Sequence, residues 1–433
     1  MNAFLSLYIT NLFLVAGTGL LTTYVALYMG GKGIATTWIG LLSSFYYVGL
    51  LFGSRVGYYF IKSVGHIRTY AASTAIVIAC VALHGISANI YLWFALRLIV
   101  GMAMMCNYMV LESWLNEQAN PDQRGRVFSF YMITSYIGMI AGQFALAKFP
   151  ELGYAPLFLV CFAVAIGIVP IAITRRIHPQ PLKPVSISFF AYIKLVPQSL
   201  TGVLFAGIIS GSFYGLAPTF GREAGFSSAQ IANFMTLTIL AGLLAQWPMG
   251  LLSDRFTRSR LMRMNAVFIG VASLALFVLP VNVQTSLVFT FVFGLFAFTL
   301  YPLASAMSNS RVSDDERVGL SAALLISFGA GASLGSFLLA EVMTIFGFQA
   351  LYAAIALLTV VMFVLLTLIN ARQKAEKPIS SDYIVTVPDI TSSPMVASFD
   401  PRIEEAIAHE QLLDENDPVA PTEIEDSYNE PTR

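Results

Sequence analysis

The sequence predicts an all-α polytopic membrane protein, with twelve transmembrane helices arranged in two pseudo-symmetric six-helix bundles. Three observations predict this fold class. Only 11% of the 433 residues are charged and 57% are hydrophobic, whereas soluble domains carry roughly 25% charged residues. The chain also contains twelve long apolar runs, and residues of its first half recur in its second half at a nearly constant offset. A soluble protein is therefore excluded.

The twelve apolar runs each contain the ~20 residues that a helix needs to cross a hydrocarbon core. They are continuous, unlike the segments of about 10 residues with alternating polarity that form outer-membrane barrels. Because backbone groups in lipid must be satisfied within the segment, the runs are helices. Their predicted limits are 5–29, 38–61, 69–88, 90–114, 127–149, 154–174, 200–220, 229–252, 262–281, 285–308, 319–343 and 349–370.

Basic residues in the predicted loops indicate the orientation, because cytoplasmic loops carry an excess of Lys and Arg. With the N-terminus inside, the cytoplasmic segments hold 17 Lys and Arg residues, and the opposite side holds Lys32, Lys148 and Arg222. Both chain ends are therefore expected in the cytoplasm, and the membrane is expected to be a plasma membrane, such as the bacterial inner membrane.

The two halves of the chain resemble each other. TTWIGLLSS at 36–44 aligns with SAQIANFMT at 228–236, an offset of 192. An ordered series of matches at one offset indicates an internal repeat. Small residues four apart allow close helix packing, and one such pair, Gly138 and Gly142, matches Gly331 and Gly335 at an offset of 193.

These features predict four parts: an N-terminal bundle at 1–174, a proline-rich cytoplasmic linker at 175–198, a C-terminal bundle at 199–372 and a tail at 373–433. The net charge of zero hides a contrast, since residues 378–433 hold 13 acids and 2 bases. Such an acidic, weakly hydrophobic tail is expected to be mostly disordered, apart from a short helix over about 400–413. We hypothesise that it docks on the basic loops at 175–194 or 255–263.

Sequence motifs for catalysis or cofactor binding do not emerge. GGKG at 30–33 is followed by Ile and does not complete a phosphate-binding loop, and GAGASLG at 329–335 lies inside a predicted helix. The four histidines are scattered, without the spacing of metal ligands. No enzyme activity, cofactor, metal or nucleic-acid partner is expected.

Two motifs carry a resemblance to a known family. The loop after the eighth run reads GLLSDRFTRSR at 250–260. It resembles the major facilitator superfamily signature G-x-x-x-D-R/K-x-G-R-x-R/K, with Thr257 in place of the second Gly. RLIVGMA at 97–103 resembles that superfamily's R-x-x-x-G-x-G signature, and segments such as VLESWLN and LLAQWPMGLLSD are similar to the YcaD type.

The resemblance implies that two six-helix bundles rock about a central site, with a cytoplasmic gate formed by loop charges. In the equivalent loop of the first half, Lys62 stands where the acid is expected. The alternative for these loop charges is a solvated positive-inside surface. The gate candidates are Lys62, Gly65, Arg68, Glu112, Gly250, Asp254, Arg255 and Arg260.

In the superfamily, the first, fourth, seventh and tenth helices line the central cavity. The resemblance implies that the same helices line a cavity in this chain. Polar residues of these helices, with one from the fifth, are therefore candidates for substrate contact. The competing interpretation of each is ordinary hydrogen bonding between helices. The candidates are Asn11, Thr18, Thr22, Arg97, Tyr108, Gln143, Ser210, Tyr214 and Tyr301.

Arg97 is the most informative of them, because a buried arginine in a span costs at least about 2.5–3.5 kcal/mol and needs a partner. In a functional role, Arg97 binds an anionic or zwitterionic substrate or modulates a proton site. In the alternative, structural role, it bonds helix carbonyls and Asn11. Glu112 lies about 22 Å further along the helix. It is expected to pair with Lys62 or Arg68 in the gate, or alternatively to be a protonatable coupling carboxylate.

The predicted function is secondary active transport of a small organic solute by alternating access, driven by an ion or solute gradient. The alternative is a non-transporting receptor or sensor that signals through the acidic tail. The expected partners are the lipid bilayer and the solute, with proton co-transport left open, and the expected state is a monomer.

Overall fold

The computed structural model describes residues 2–120, 123–173, 189–309, 311–312 and 317–372. These residues form fourteen helices. They are α1 Asn2–Gly31, α2 Thr36–Val64, α3 His66–Ile86, α4 Ile90–Gln118, α5 Arg124–Leu146, α6 Ala155–Ile173, α7 Phe189–Leu195, α8 Pro197–Glu223, α9 Ser228–Arg255, α10 Arg258–Val278, α11 Val283–Ala297, α12 Leu300–Asn309, α13 Arg317–Phe346 and α14 Ala350–Arg372.

Twelve spans in the described residues are long and apolar enough to cross a membrane, which confirms the predicted fold class. The tenth span consists of α11 and α12 together, running from Val283 to Asn309. The short helix α7 precedes the seventh span, which begins at Pro197, where proline's fixed φ suits the first turn of a helix. The rest of the predicted linker, and the tail with its predicted short helix, lie outside the described residues.

Equivalent helix pairs pack in the same way in the two halves. In the first half α5 packs parallel to α1, and a Cβ on Gly138 or Gly142 would come within 3 Å of the carbonyl oxygen of Leu12 or Ala16. In the second half α13 packs parallel to α8, and Gly331 meets the carbonyl of Leu204 while Gly335 meets that of Ile208. The accepting residues are 192 apart in both cases, since 204 − 12 and 208 − 16 agree. The repeat in the sequence is therefore a repeat of packing.

Because successive spans alternate in direction, the loops divide between two faces. The termini face carries the α2–α3 and α9–α10 loops and the end of α14, and the far face carries the α1–α2 and α8–α9 loops. The helix pairs that pack most extensively across the halves are α2–α13 and α5–α9, with α1 and α2 also contacting α8.

The halves are closed against each other at the far face. Thr37 and Thr344 share a hydrogen bond of 3.1 Å, and the Thr36 hydroxyl donates to Glu223 Oε1 at 3.2 Å. The Arg222 guanidinium donates to the Leu27 carbonyl at 3.4 Å. Each contact joins the first half to the second, so together they seal the far ends of α1, α2, α8 and α13.

Candidate substrate cavity and gates

Helix α4 positions Arg97 by two local features. The Asn89 side chain caps the helix, accepting the backbone N–H of Tyr91 at 2.9 Å. One turn after Arg97, Gly101 has no side chain, so α4 lies against α2 at a distance where any Cβ would overlap the Tyr46 carbonyl oxygen. This close approach brings Arg97 to the same depth as Tyr46.

Arg97 is 1% exposed. Its guanidinium carbon lies 4.8 Å from the centre of the Tyr46 ring, a cation–π contact. Its Nε has no hydrogen-bond partner in the described part of the chain. The expected alternative, in which Arg97 bonds helix carbonyls and Asn11, is wrong, because Arg97 forms no such hydrogen bond among those residues, and the Asn11 amide nitrogen donates to α5.

Two cavity candidates of the first half instead join helices. The Asn11 amide donates to Ser135 Oγ at 2.8 Å, Thr134 Oγ1 at 3.1 Å and the Tyr131 carbonyl at 3.2 Å, all on α5. Gln143 on α5 donates to the Gly19 carbonyl on α1 at 3.1 Å. Both amides therefore fasten α1 to α5, which is the competing interpretation weighed for them.

The remaining candidates of the first half form a small polar group. Thr18 donates to the carbonyl of Leu14 at 3.1 Å, and Thr22 donates to the carbonyl of Thr18 at 3.0 Å. The Tyr108 side chain is fully buried and lies beside those of Thr18 and Tyr46. Tyr46 thus contacts both Arg97 and Tyr108, two candidates that lie eleven residues apart on α4.

The second half contributes aromatic rings. Tyr214 on α8 stacks on Phe298 with ring centres 5.6 Å apart, and Tyr301 on α12 packs edge-on against Phe328 at 5.6 Å. Ser210, one turn before Tyr214, is fully buried, and its hydroxyl has no hydrogen-bond partner among the described residues.

The tenth span is broken between α11 and α12 at Phe298 and Thr299. Pro302 has no N–H, so the Phe298 carbonyl lacks its helical donor four residues on, whereas Leu303 N–H does reach the Thr299 carbonyl at 3.2 Å. Gln246 on α9 fills the gap, donating to the Phe298 carbonyl at 3.2 Å and to the Tyr136 hydroxyl on α5 at 3.0 Å. One amide therefore ties the break in the second half to the first half.

We predict that Gln246→Met destabilises the protein by about 1–3 kcal/mol, because it leaves the Phe298 carbonyl buried without a donor. In a Pro302→Ala background, the restored N–H of residue 302 supplies that donor, and the cost should fall. The measurement is a double-mutant cycle of unfolding free energies in detergent. Equal costs in both backgrounds would contradict this role of Gln246.

The gate candidates on loops are exposed at the termini face. Lys62, Arg68, Asp254 and Arg255 are all exposed, and they form no ion pair with the residues that the structure describes. Arg260 is also exposed, and its guanidinium carbon lies 5.7 Å from the Phe256 ring. Gly250 is partly buried in the last turns of α9, and Gly65 joins α2 to α3 with φ of 85°, a conformation that glycine adopts most easily.

Glu112 does not form the gate pair expected of it. Its side chain is fully buried, and the Tyr131 hydroxyl lies 3.5 Å from Oε1. The expected pairing with Lys62 or Arg68 is absent, because both of those side chains point to solvent in the described structure. Burial against α5 places Glu112 inside the first bundle, and its alternative role, that of a protonatable carboxylate, stays a prediction.

Comparison with known proteins places this geometry in a family. The family profile described as "Major Facilitator Superfamily" matches residues 199–399, and that of "Sugar (and other) transporter" matches residues 2–155. The chain is 31% identical over 365 residues to the "Uncharacterized MFS-type transporter YcaD" of Salmonella newport (strain SL254), covering 84% of this chain and 94% of the relative. The chain belongs to the major facilitator superfamily. The YcaD protein of Salmonella heidelberg (strain SL476) is equally similar.

Solved structures share the superfamily fold. A crystal structure of the nucleoside transporter NupG matches with a TM-score of 0.74 at 17% identity, covering 86% of this chain and 99% of NupG. A bacterial homologue of the human lysosomal transporter Spinster matches with a TM-score of 0.69 at 14% identity, covering 85% of this chain and 96% of that one. At this identity, both comparisons establish the fold alone.

Sequence reasoning missed three residues of this superfamily member that contact its candidate site. Tyr46 was detectable, because it lies ten residues into α2 and Arg97 lies seven residues into the parallel α4, at a similar depth. Phe298 was detectable from Pro302, which removes the helical donor of its carbonyl. His84, which is buried near Arg97 and packs edge-on against Trp93 at 4.8 Å, had no signal in an isolated apolar run.

Proposed function

We propose that this protein is a secondary active transporter that moves a small organic solute across a bacterial inner membrane by alternating access. The observation that carries the proposal is the arrangement of two repeated six-helix halves, closed at the far face and joined in the middle through Gln246 and Tyr136. Two halves that meet through small residues and single hydrogen bonds can rock about the site between them.

The charge distribution supports the termini face as the cytoplasmic face. The predicted loops on that side carry 17 Lys and Arg residues against 3 on the other. The conformation described above is then closed to the outside. The Spinster homologue with the same fold was likewise solved in an inward-facing conformation.

In the opposite, outward-facing state the halves would close at the cytoplasmic face. The exposed charges Lys62, Arg68, Asp254, Arg255 and Arg260 are then brought toward the facing half. Pairs formed in one state only would bias the two-state equilibrium by their differential contacts. This is the gate role proposed for them.

The transport activity is tested with the purified full chain in liposomes. The vesicles are loaded with a deproteinised, low-molecular-mass bacterial extract, and released solutes are identified by mass spectrometry with and without an imposed pH gradient. We expect release of at least one small solute above protein-free vesicles. A variant lacking residues 378–433 distinguishes a transporter from the alternative, a receptor that signals through its tail. A transporter keeps its flux without the tail, whereas a receptor shows no flux in either form.

For coupling, we propose that Glu112 carries the co-transported proton. It is buried and its Oε1 lies 3.5 Å from the Tyr131 hydroxyl, so a change in helix packing changes the surroundings on which its protonation depends. We predict that Glu112→Gln loses pH-gradient-driven accumulation at least about tenfold and keeps solute exchange at equal pH, because the neutral side chain preserves alternating access. Equal loss of both activities would contradict a coupling role, and Glu117→Gln, one and a half turns on, is the matched control.

A further inference from the structure

Arg97 is a buried charge without a counter-charge among the residues that the structure describes. It lies about 10 Å from the far end of α4, at 1.5 Å per residue, and is 1% exposed. No carboxylate of the described residues forms an ion pair with it, and its Nε has no hydrogen-bond partner there. A charged arginine at this depth costs at least about 2.5–3.5 kcal/mol.

The groups around Arg97 do not neutralise it. The Tyr46 ring offers a cation–π contact at 4.8 Å, which carries no net charge. The nearby His84 donates its Nδ1–H to the Cys80 carbonyl at 2.7 Å, so it is a neutral or positive neighbour and never a negative one. The remaining neighbour, Tyr47, is a phenol.

A purely structural arginine would look different here. It would donate to carbonyls at the ends of helices or between them, as the Asn11 and Gln143 side chains do between α1 and α5. Arg97 does neither among the described residues. Its position is instead fixed by the contact of Gly101 with the Tyr46 carbonyl, which needs no charge.

We infer that the missing counter-charge is supplied by the transported solute, and that the substrate is a small organic anion whose acidic group binds Arg97. This inference rests on the proposed transport function. The planar guanidinium presents five N–H donors in a fork that matches a carboxylate or phosphate group. The Tyr46 ring, which contacts the guanidinium, borders the same position.

The first test is the stability of the ligand-free protein. Arg97→Gln removes an unpaired buried charge, so the melting temperature of the purified full chain should stay equal or rise by a few degrees. A structural arginine would give the opposite result, a clear fall in melting temperature. The matched control is Arg55→Gln, because Arg55 is an exposed arginine on the neighbouring helix α2.

The second test identifies the class of the solute. A deproteinised bacterial extract is separated by ion exchange into anionic, neutral and cationic pools, and each pool is added to the wild-type protein, Arg97→Gln, Arg97→Lys and Arg55→Gln. We expect the anionic pool to raise the melting temperature of the wild-type and Arg55→Gln proteins, with a reduced rise in Arg97→Lys and none in Arg97→Gln. Phosphatase treatment of the pool distinguishes the acidic groups: stabilisation that disappears indicates a phosphate ester, and stabilisation that persists indicates a carboxylate.

Stabilisation of the wild-type protein by the neutral or cationic pool alone would overturn the inference, and so would an unchanged anionic response in Arg97→Gln. The liposome experiment separates this failure from a failure of the proposed function. Release of a neutral solute would leave transport standing and overturn the anionic substrate, whereas the absence of any flux would count against transport itself.

Discussion

Gly40→Leu is expected to fold normally and to lose transport. Gly40 on α2 faces α13 of the other half, where a Cβ would overlap the Ser336 carbonyl oxygen and the Ala340 side chain. The two halves meet closely along this line, since the Ser44 hydroxyl donates to the Ser333 carbonyl at 2.5 Å one turn further on. A leucine at position 40 therefore wedges the far face apart.

The size of the effect follows from the cost of overpacking, about 1–3 kcal/mol. In a two-state protein this cost falls only on the state that is closed at the far face. A change of 1.4 kcal/mol shifts the ratio of the states about tenfold, so transport should fall about tenfold or more. In the proposed alternating-access cycle the halves separate at this face, so the chain can relieve the clash without unfolding.

The measurement is a distance distribution between spin labels placed at the exposed positions 32 and 229 on the far face, after removal of the three native cysteines. Gly40→Leu should lengthen the distance. Gly153→Leu is the control, because Gly153 lies on the same face and a Cβ there meets nothing within 4 Å. An unchanged distance with normal flux would show that the far face does not need this contact.

The spans of this fold could be predicted from the sequence because they depend on composition alone. About 20 apolar residues must form a helix in lipid, whatever their neighbours. The repeat was predictable for a similar reason, since Gly138 and Gly331 perform the same packing task in the two halves.

The candidate site was harder to predict because its contacts join distant parts of the chain. The sequence placed Arg97 and Tyr108 on one predicted helix, but it could not show that Tyr46 of another helix contacts both. The pairing proposed for Glu112 was wrong for the same reason, because periodicity gives a depth and not the direction of the neighbouring helix. Polar residues such as Asn11 were ambiguous until their acceptors on α5 were known.

Gly101→Leu is expected to prevent folding, although its steric conflict resembles that of Gly40→Leu. A Cβ on Gly101 would overlap the Tyr46 carbonyl oxygen and lie 3.0 Å from the Gly49 Cα and the Leu50 nitrogen. All three atoms belong to the backbone of α2, which cannot rotate away as a side chain can. Because α2 and α4 belong to the same half, rocking of the halves does not separate them.

The clash must therefore be relieved by pulling α2 away from α4, which would uncover the Arg97–Tyr46 contact and the glycine-lined seam continuing through Gly53. Native proteins are stable by only about 5–15 kcal/mol, and overpacking against backbone lies at or above the upper end of its usual cost of about 1–3 kcal/mol. We expect most of the Gly101→Leu protein to aggregate on extraction, and Gly101→Ala to show a smaller loss, because its single methyl group demands a smaller displacement.

Size-exclusion chromatography of the detergent-extracted protein measures the folded fraction. Gly125→Leu on α5 is the control for replacing a helical glycine, because a Cβ there meets nothing within 4 Å. The comparison with Gly40→Leu tests whether the halves are rigid bodies. If they are, a bulky side chain between the halves shifts a conformational equilibrium, whereas a bulky side chain within one half prevents that half from folding. Recovery of monodisperse, transport-competent Gly101→Leu protein would mean that α2 and α4 can also separate, and that the six-helix half is not the unit that moves.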